Sequence, residues 1–137
     1  MSGCESWIQS SIFVMQAAHT ALCERGGSIV IVAPTLSTVG AAELVPLTTA
    51  LEAIRVLAKS AAKQWGPAGI RVNSLAPAID AFFAEGSAPR VSLGEPALPG
   101  FDPDGDAAGP LTFLASDASA KLTGATLRVD GGVWTPG

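Results

Sequence analysis

Few side chains in this sequence of 137 residues are of a kind that does chemistry, and their spacing argues against most of it. Cys4 and Cys23, the only cysteines, have neither the CxxC separation of a metal or redox pair nor the density of a disulfide framework, so both read as thiols in a reducing compartment. His19, the single histidine, falls on an apolar helical stripe, where a core or interface role is expected rather than catalysis. Ser37, Thr38, Thr48 and Thr49 offer hydroxyls, yet the sequence places no histidine or lysine to activate them, and they read as cap and loop residues. Asp80, Glu85, Glu95, Asp102, Asp104 and Asp106 lack the dense alternation of a calcium loop and read as a solvated acidic lid.

The elements that would carry these residues follow from hydrophobic period and punctuation. Ser6-Trp7-Ile8-Gln9 fits a capping box, which predicts a helix starting at Ser6, running to about Arg25 and stopping at Gly26-Gly27. That helix is apolar nearly all round, with Ile8, Ile12, Met15, His19 and Leu22 on one stripe and Trp7, Phe13, Val14, Ala17 and Ala21 on the rest, so burial on more than one side is expected. "SIVIVA" (28–33) is a continuous β-branched run of the kind found in parallel strands covered on both faces. Pro46 suits the first turn of a second helix, whose inward face holds Leu47, Ala50, Leu51, Ile54, Leu57, Ala58, Ala61 and Ala62 and which Gly66-Pro67 ends. "GIRVNSLAP" (69–77) follows as a strand, making a βαβ unit with a right-handed crossover. Residues 78–105 show no sustained period and read as a lid-like loop. A short helix in "GPLTFLASD", a last strand "TLRVD" and the turn Gly131-Gly132 complete one domain, 1–137.

Composition bounds the partners. Charged residues make up 15% and hydrophobic ones 48%, which implies that part of the surface is covered. The formal charge is −4 and the eight basic residues are scattered, which argues against nucleic acid. The first residues do not pattern as a secretory signal, and no apolar run approaches the ~20 residues of a membrane span. A cytoplasmic protein without membrane contact is expected.

Three segments, "GGSIVIVAP", "LAKSAAKQWGPAGIRVNSLAP" and "FLASDASAKLTGATLRVDGG", agree in order and nearly in spacing with the C-terminal half of a short-chain dehydrogenase/reductase, and the sequence resembles that family over most of residues 7–132. The resemblance implies an α/β fold, a partial Rossmann-like, doubly wound parallel sheet of about three strands with flanking helices. In the family a Ser, Tyr, Lys set assisted by an Asn moves the proton that accompanies hydride transfer to or from NAD(P). Gapless matching of the blocks puts Pro34 at the serine, Leu47 at the tyrosine, Leu51 at the lysine and Ile8 at the asparagine. None of the four can donate or accept a proton, so the resemblance implies a pseudoenzyme with no catalytic residue of the family's kind. No two glycines are separated by a single residue, and the family's proline-glycine and following threonine appear as Pro77-Ala78 and Phe82, which implies no cofactor site within the chain and NAD(P) only through a partner chain.

The family's strand order would leave "SIVIVA" beside a strand this sequence lacks, an open and uncharged edge that invites pairing. Its first two helices commonly build a four-helix contact between subunits. A homo-oligomer or a full-length partner of the same family is therefore expected. The leading expectation is a non-catalytic structural or regulatory subunit that is no enzyme on its own. Three alternatives stand beside it: a subunit of a heteromeric NAD(P)-dependent oxidoreductase, a small module holding an apolar ligand against Pro34, Leu47, Leu51 and Phe82, and a remnant without a selected role.

Overall fold

The computed structural model describes residues 2–83 and 95–135. Helix α1 (Ser2–Leu22) leads into strand β1 (Gly27–Val32), a one-turn helix α2 (Leu36–Val39) and the long helix α3 (Val45–Trp65). Strand β2 (Ile70–Pro77), short helices α4 (Pro103–Asp106) and α5 (Ala108–Ala115), and strand β3 (Thr126–Val129) follow. The strands form one parallel sheet in the order β1-β2-β3, with Gly27 to Val32 opposite Ile70 to Leu75 and Ser74 to Pro77 opposite Thr126 to Val129. This is the α/β architecture and strand order expected from the sequence.

Alternation along the strands sorts side chains to the two faces. Ile29 and Ile31 of β1 join Ile70 and Val72 of β2 on the face covered by α1 and α3, where Met15, Ala58, Ala61 and Ala62 complete the core. The run of alanines lets α3 lie close to the sheet; a Cβ added at Gly124 would sit 3.5 Å from that of Ala62. His19 stacks on Trp65 with ring centroids 4.8 Å apart, so α1 and α3 run in the same direction and begin at the same end of the layer. On the opposite face α5 seats the fully buried Leu114, and Ser28 donates its hydroxyl to the Leu114 carbonyl at 2.8 Å.

Several boundaries depart from the expectation. Helix α1 begins by Ser2, and Ser6 is no cap: its hydroxyl donates to the Gly3 carbonyl at 2.8 Å inside the helix. A mid-helix serine satisfies itself this way, and Glu5 in the first turn favours the positive helix end, so the helix extends past the supposed box. The α1–β1 turn does use glycine: Gly26 has φ 72°, and a Cβ there would lie 2.9 Å from the Gly69 carbonyl. Strand β1 has helices over both faces, as expected, yet it is only half-buried along Ser28–Ile31 and exposed at both ends. Helix α2 was not foreseen in the loop after β1. Within the stretch read as a lid, Ile79–Phe82 forms a single 3-10 turn and α4 a single α turn, while residues 84–94, Glu85 among them, lie outside the described residues.

Candidate functional site

The positions singled out by sequence share one end of the layer, beyond the C-terminal ends of the strands. Pro34 follows β1 and is buried, flanked by two amides that bond to β2's row: Ala33 donates to Leu75 and Thr35 to Pro77, at 3.0 and 2.9 Å. A proline fits between them because its missing N–H falls on the side turned away from β2. Leu47 and Leu51 lie one turn apart at the start of α3, both half-buried, and Ile8 is half-buried near the start of α1. The crest of the layer is therefore hydrocarbon at all four positions.

The neighbouring hydroxyls are occupied with the backbone. Thr35 donates to the Ala76 carbonyl at 3.1 Å, Thr38 to Thr35 at 2.8 Å and Thr48 to Leu44 at 3.1 Å. The Ser37 hydroxyl is buried and has no partner among the described residues, but no base accompanies it. Thr49 is exposed. His19 is held in its stack with Trp65. Cys4 is half-buried and Cys23 exposed, both as free thiols.

The acidic residues serve local structure. Asp102 caps α4 by accepting the Asp104 amide at 3.1 Å, and Asp106 accepts the Asp102 amide at 2.8 Å. Among the described residues no group of three or more His, Cys, Asp or Glu could hold a metal ion. On α3, Glu52 pairs with Arg55, whose Nε donates at 2.7 Å; the hydrogen bond to Glu52 and its negative charge hold the guanidinium above its ordinary pKa, against a smaller effect of burial.

A cleft of about 410 Å³ opens at the other end of the sheet, between Glu24-Arg25, Gly27, Gly69, Arg71 and Asp117. Its central cation is already committed. Arg71 donates to the carbonyls of Leu114 and Ser116 at 3.0 Å and to the Ser119 hydroxyl at 2.9 Å, tying β2 to the end of α5. Asn73, fully buried, donates to the Leu122 carbonyl at 2.8 Å and accepts the Ala125 amide at 3.1 Å, which sets β3 beside β2. Sequence reasoning assigned neither residue a role. The signal available was the pair of polar residues inside "IRVNSL", a strand otherwise read as apolar.

Comparison with known proteins places this layer. The family model described as enoyl-(acyl carrier protein) reductase matches residues 5–134. The L-rhamnose 1-dehydrogenase (NAD(P)(+)) of Azotobacter vinelandii is 35% identical over 140 residues, a match that covers 93% of this chain and 53% of that protein. The 2-dehydro-3-deoxy-D-gluconate 5-dehydrogenase of Escherichia coli is 30% identical over 138 residues, covering 91% and 53%. Among solved structures, a proposed short-chain alcohol dehydrogenase from Sinorhizobium meliloti superposes with a TM-score of 0.80 at 28% identity, covering 91% of this chain and 52% of the other. The chain belongs to the short-chain dehydrogenase/reductase family, and it spans about half the length of the relatives it matches. No helix among the described residues is long and apolar enough to cross a membrane.

Proposed function

We propose that this chain is a catalytically silent member of its family, a structural or regulatory subunit that assembles with itself or with an active dehydrogenase. The observation that carries this reading is the row Pro34, Leu47 and Leu51 at the crest of the layer, beside hydroxyls already bonded to backbone. Proton transfer needs a group that ionises or donates, and hydrocarbon side chains do neither. The same row argues against a resident nicotinamide nucleotide. Leucine at 47 and 51 has no donor for ribose hydroxyls, so no step is assigned to NAD(P) on this chain, and any nucleotide enters through a partner.

The surface supports the assembly half of the reading. On α1 the residues Gly3, Trp7, Ser10, Val14, Ala17 and Ala21 are all exposed, and their alternating spacing of four and three is that of a helix seam which packs against another helix. Trp7 is 51% exposed and Val14 68%, with Phe13 alongside at 60%, large values for apolar side chains on one helix. A seam of this kind is a contact surface rather than a water-facing one.

The experiment is affinity capture of the tagged chain from its own cells, with mass spectrometry of what accompanies it, and an NAD(P)H oxidation assay on the chain alone. Recovery of a second copy or of a longer family member, with no turnover by the purified chain, supports the reading. Steady turnover of a carbonyl substrate by the chain alone, or tight nucleotide uptake by it, defeats it.

A further inference from the structure

The end of α1 brings an imidazole and a thiol to the same side of a helix. Cys23 lies four residues after His19, and its amide donates to the His19 carbonyl at 2.8 Å, so the helical geometry holds as far as the thiol. Side chains four residues apart stand one above the other, with Cβ atoms about 5–6 Å apart. The two histidines of helical zinc motifs have the same spacing. Both ligand groups are available. Cys23 is an exposed, free thiol, and its hydrogen bond to the Thr20 carbonyl, at 3.3 Å, is a weak one that a rotation about χ1 gives up. Among the described residues neither ring nitrogen of the half-buried His19 has a hydrogen-bonding partner; the imidazole is held instead by its stack on Trp65, 4.8 Å between centroids. A ring held by its face keeps the lone pair at its edge for another partner. Both groups belong to one helical turn, so their pairing does not depend on what precedes or follows α1.

We propose that His19 and Cys23 together bind a thiophilic divalent ion of the zinc type, in a two-ligand site whose remaining positions are taken by water. The proposal stands apart from the subunit reading above and does not rest on it. Imidazole and thiolate select zinc over magnesium and calcium, which take oxygen ligands. Bonds of about 2.3 Å to sulfur and 2.0 Å to nitrogen let the two side chains converge on one ion. On binding, the S–H bond breaks, a metal–sulfur bond forms and the proton passes to solvent, while the imidazole binds through the lone pair of its neutral form. With half the protein ligands of a closed structural site, the dissociation constant is about 1–100 μM. The bound ion acts as a staple. It ties the last turn of α1 to itself and, because His19 rests on Trp65, the final residue of α3, it steadies the ends of both long helices against each other.

The test is titration of the reduced, untagged chain with cobalt, which takes zinc's place and reports a thiolate ligand by a charge-transfer band in the near ultraviolet. One ion per chain should bind, zinc should displace it, and the melting temperature should rise with zinc concentration as linkage requires. Cys23→Ser should abolish the band. His19→Phe keeps a ring against Trp65 but removes the nitrogens; it should raise the dissociation constant at least about tenfold. Both variants should lose the zinc-dependent rise in melting temperature, and Cys4→Ser should change nothing. Absence of the band at millimolar cobalt overturns the proposal, as does a band that is unchanged in His19→Phe or that follows Cys4 instead of Cys23. Should His19→Phe fail to fold, the ring-proton resonances of the parent chain decide, since His19 is its single histidine. Their displacement by zinc supports the site, and their indifference overturns it.

Discussion

On the reading proposed above, Leu47 and Leu51 at the start of α3 stand in place of a proton-transferring pair, and replacing them is not expected to rebuild a reaction centre. Pro34→Ser, Leu47→Tyr and Leu51→Lys combined should leave NAD(P)H oxidation by the isolated chain at the uncatalysed rate, because the chain offers no glycine-rich cradle for the pyrophosphate. Nucleotide fluorescence checks this directly, and turnover would show that the cofactor contacts have been misjudged. Arg71 is the side chain whose loss should cost most outside the apolar core. Arg71→Met removes three charge-assisted hydrogen bonds at the end of α5, where Ser28 and Ser119 still donate to the same carbonyls, and urea unfolding should report a loss of about 1.5–3 kcal/mol. The hydrocarbon at 34, 47 and 51 was legible in the sequence because the blocks on either side fix the register. The work done by Arg71 and Asn73 was not, since their partners lie far along the chain, at 114–116 and 122–125, and local pattern says nothing of contacts made at that distance.

Elements were legible where period and punctuation agree. Of the α3 stripe, Ala50, Ile54, Ala58, Ala61 and Ala62 are buried while Leu47, Leu51 and Leu57 are half-buried, and Pro46 and Gly66 bounded the helix as their backbones require. Helix α1 was misjudged at its start because a Ser-x-x-Gln motif inside a helix looks the same on paper as one that opens it. Helix α2 escaped notice because four residues of Leu-Ser-Thr-Val carry no period long enough to detect. The short α5 depends on a single anchor: Leu114 is fully buried, and Leu114→Ala should lower stability by about 2–5 kcal/mol in thermal or urea unfolding. Gly131 has φ 62°, its carbonyl accepts the Leu98 N–H at 2.9 Å, and a Cβ added there would collide with the Leu98 carbonyl oxygen. Gly131→Ala should therefore release the 95–98 segment before the sheet melts, seen as faster amide exchange at Leu98 with little change in the global transition.

For the molecule as a whole, large apolar side chains stand exposed on both long helices and at the sheet border. Trp7, Phe13 and Val14 on α1, Val45 and Val56 on α3 and Val32 at the sheet border are all exposed. The seam of small and aromatic residues along α1 has a thermal corollary. Contacts made from such surface draw their strength from water, and that drive fades on cooling. Any complex built on the seam should come apart in the cold and re-form on warming to ambient conditions, so a preparation held on ice would give a misleadingly low mass in light scattering.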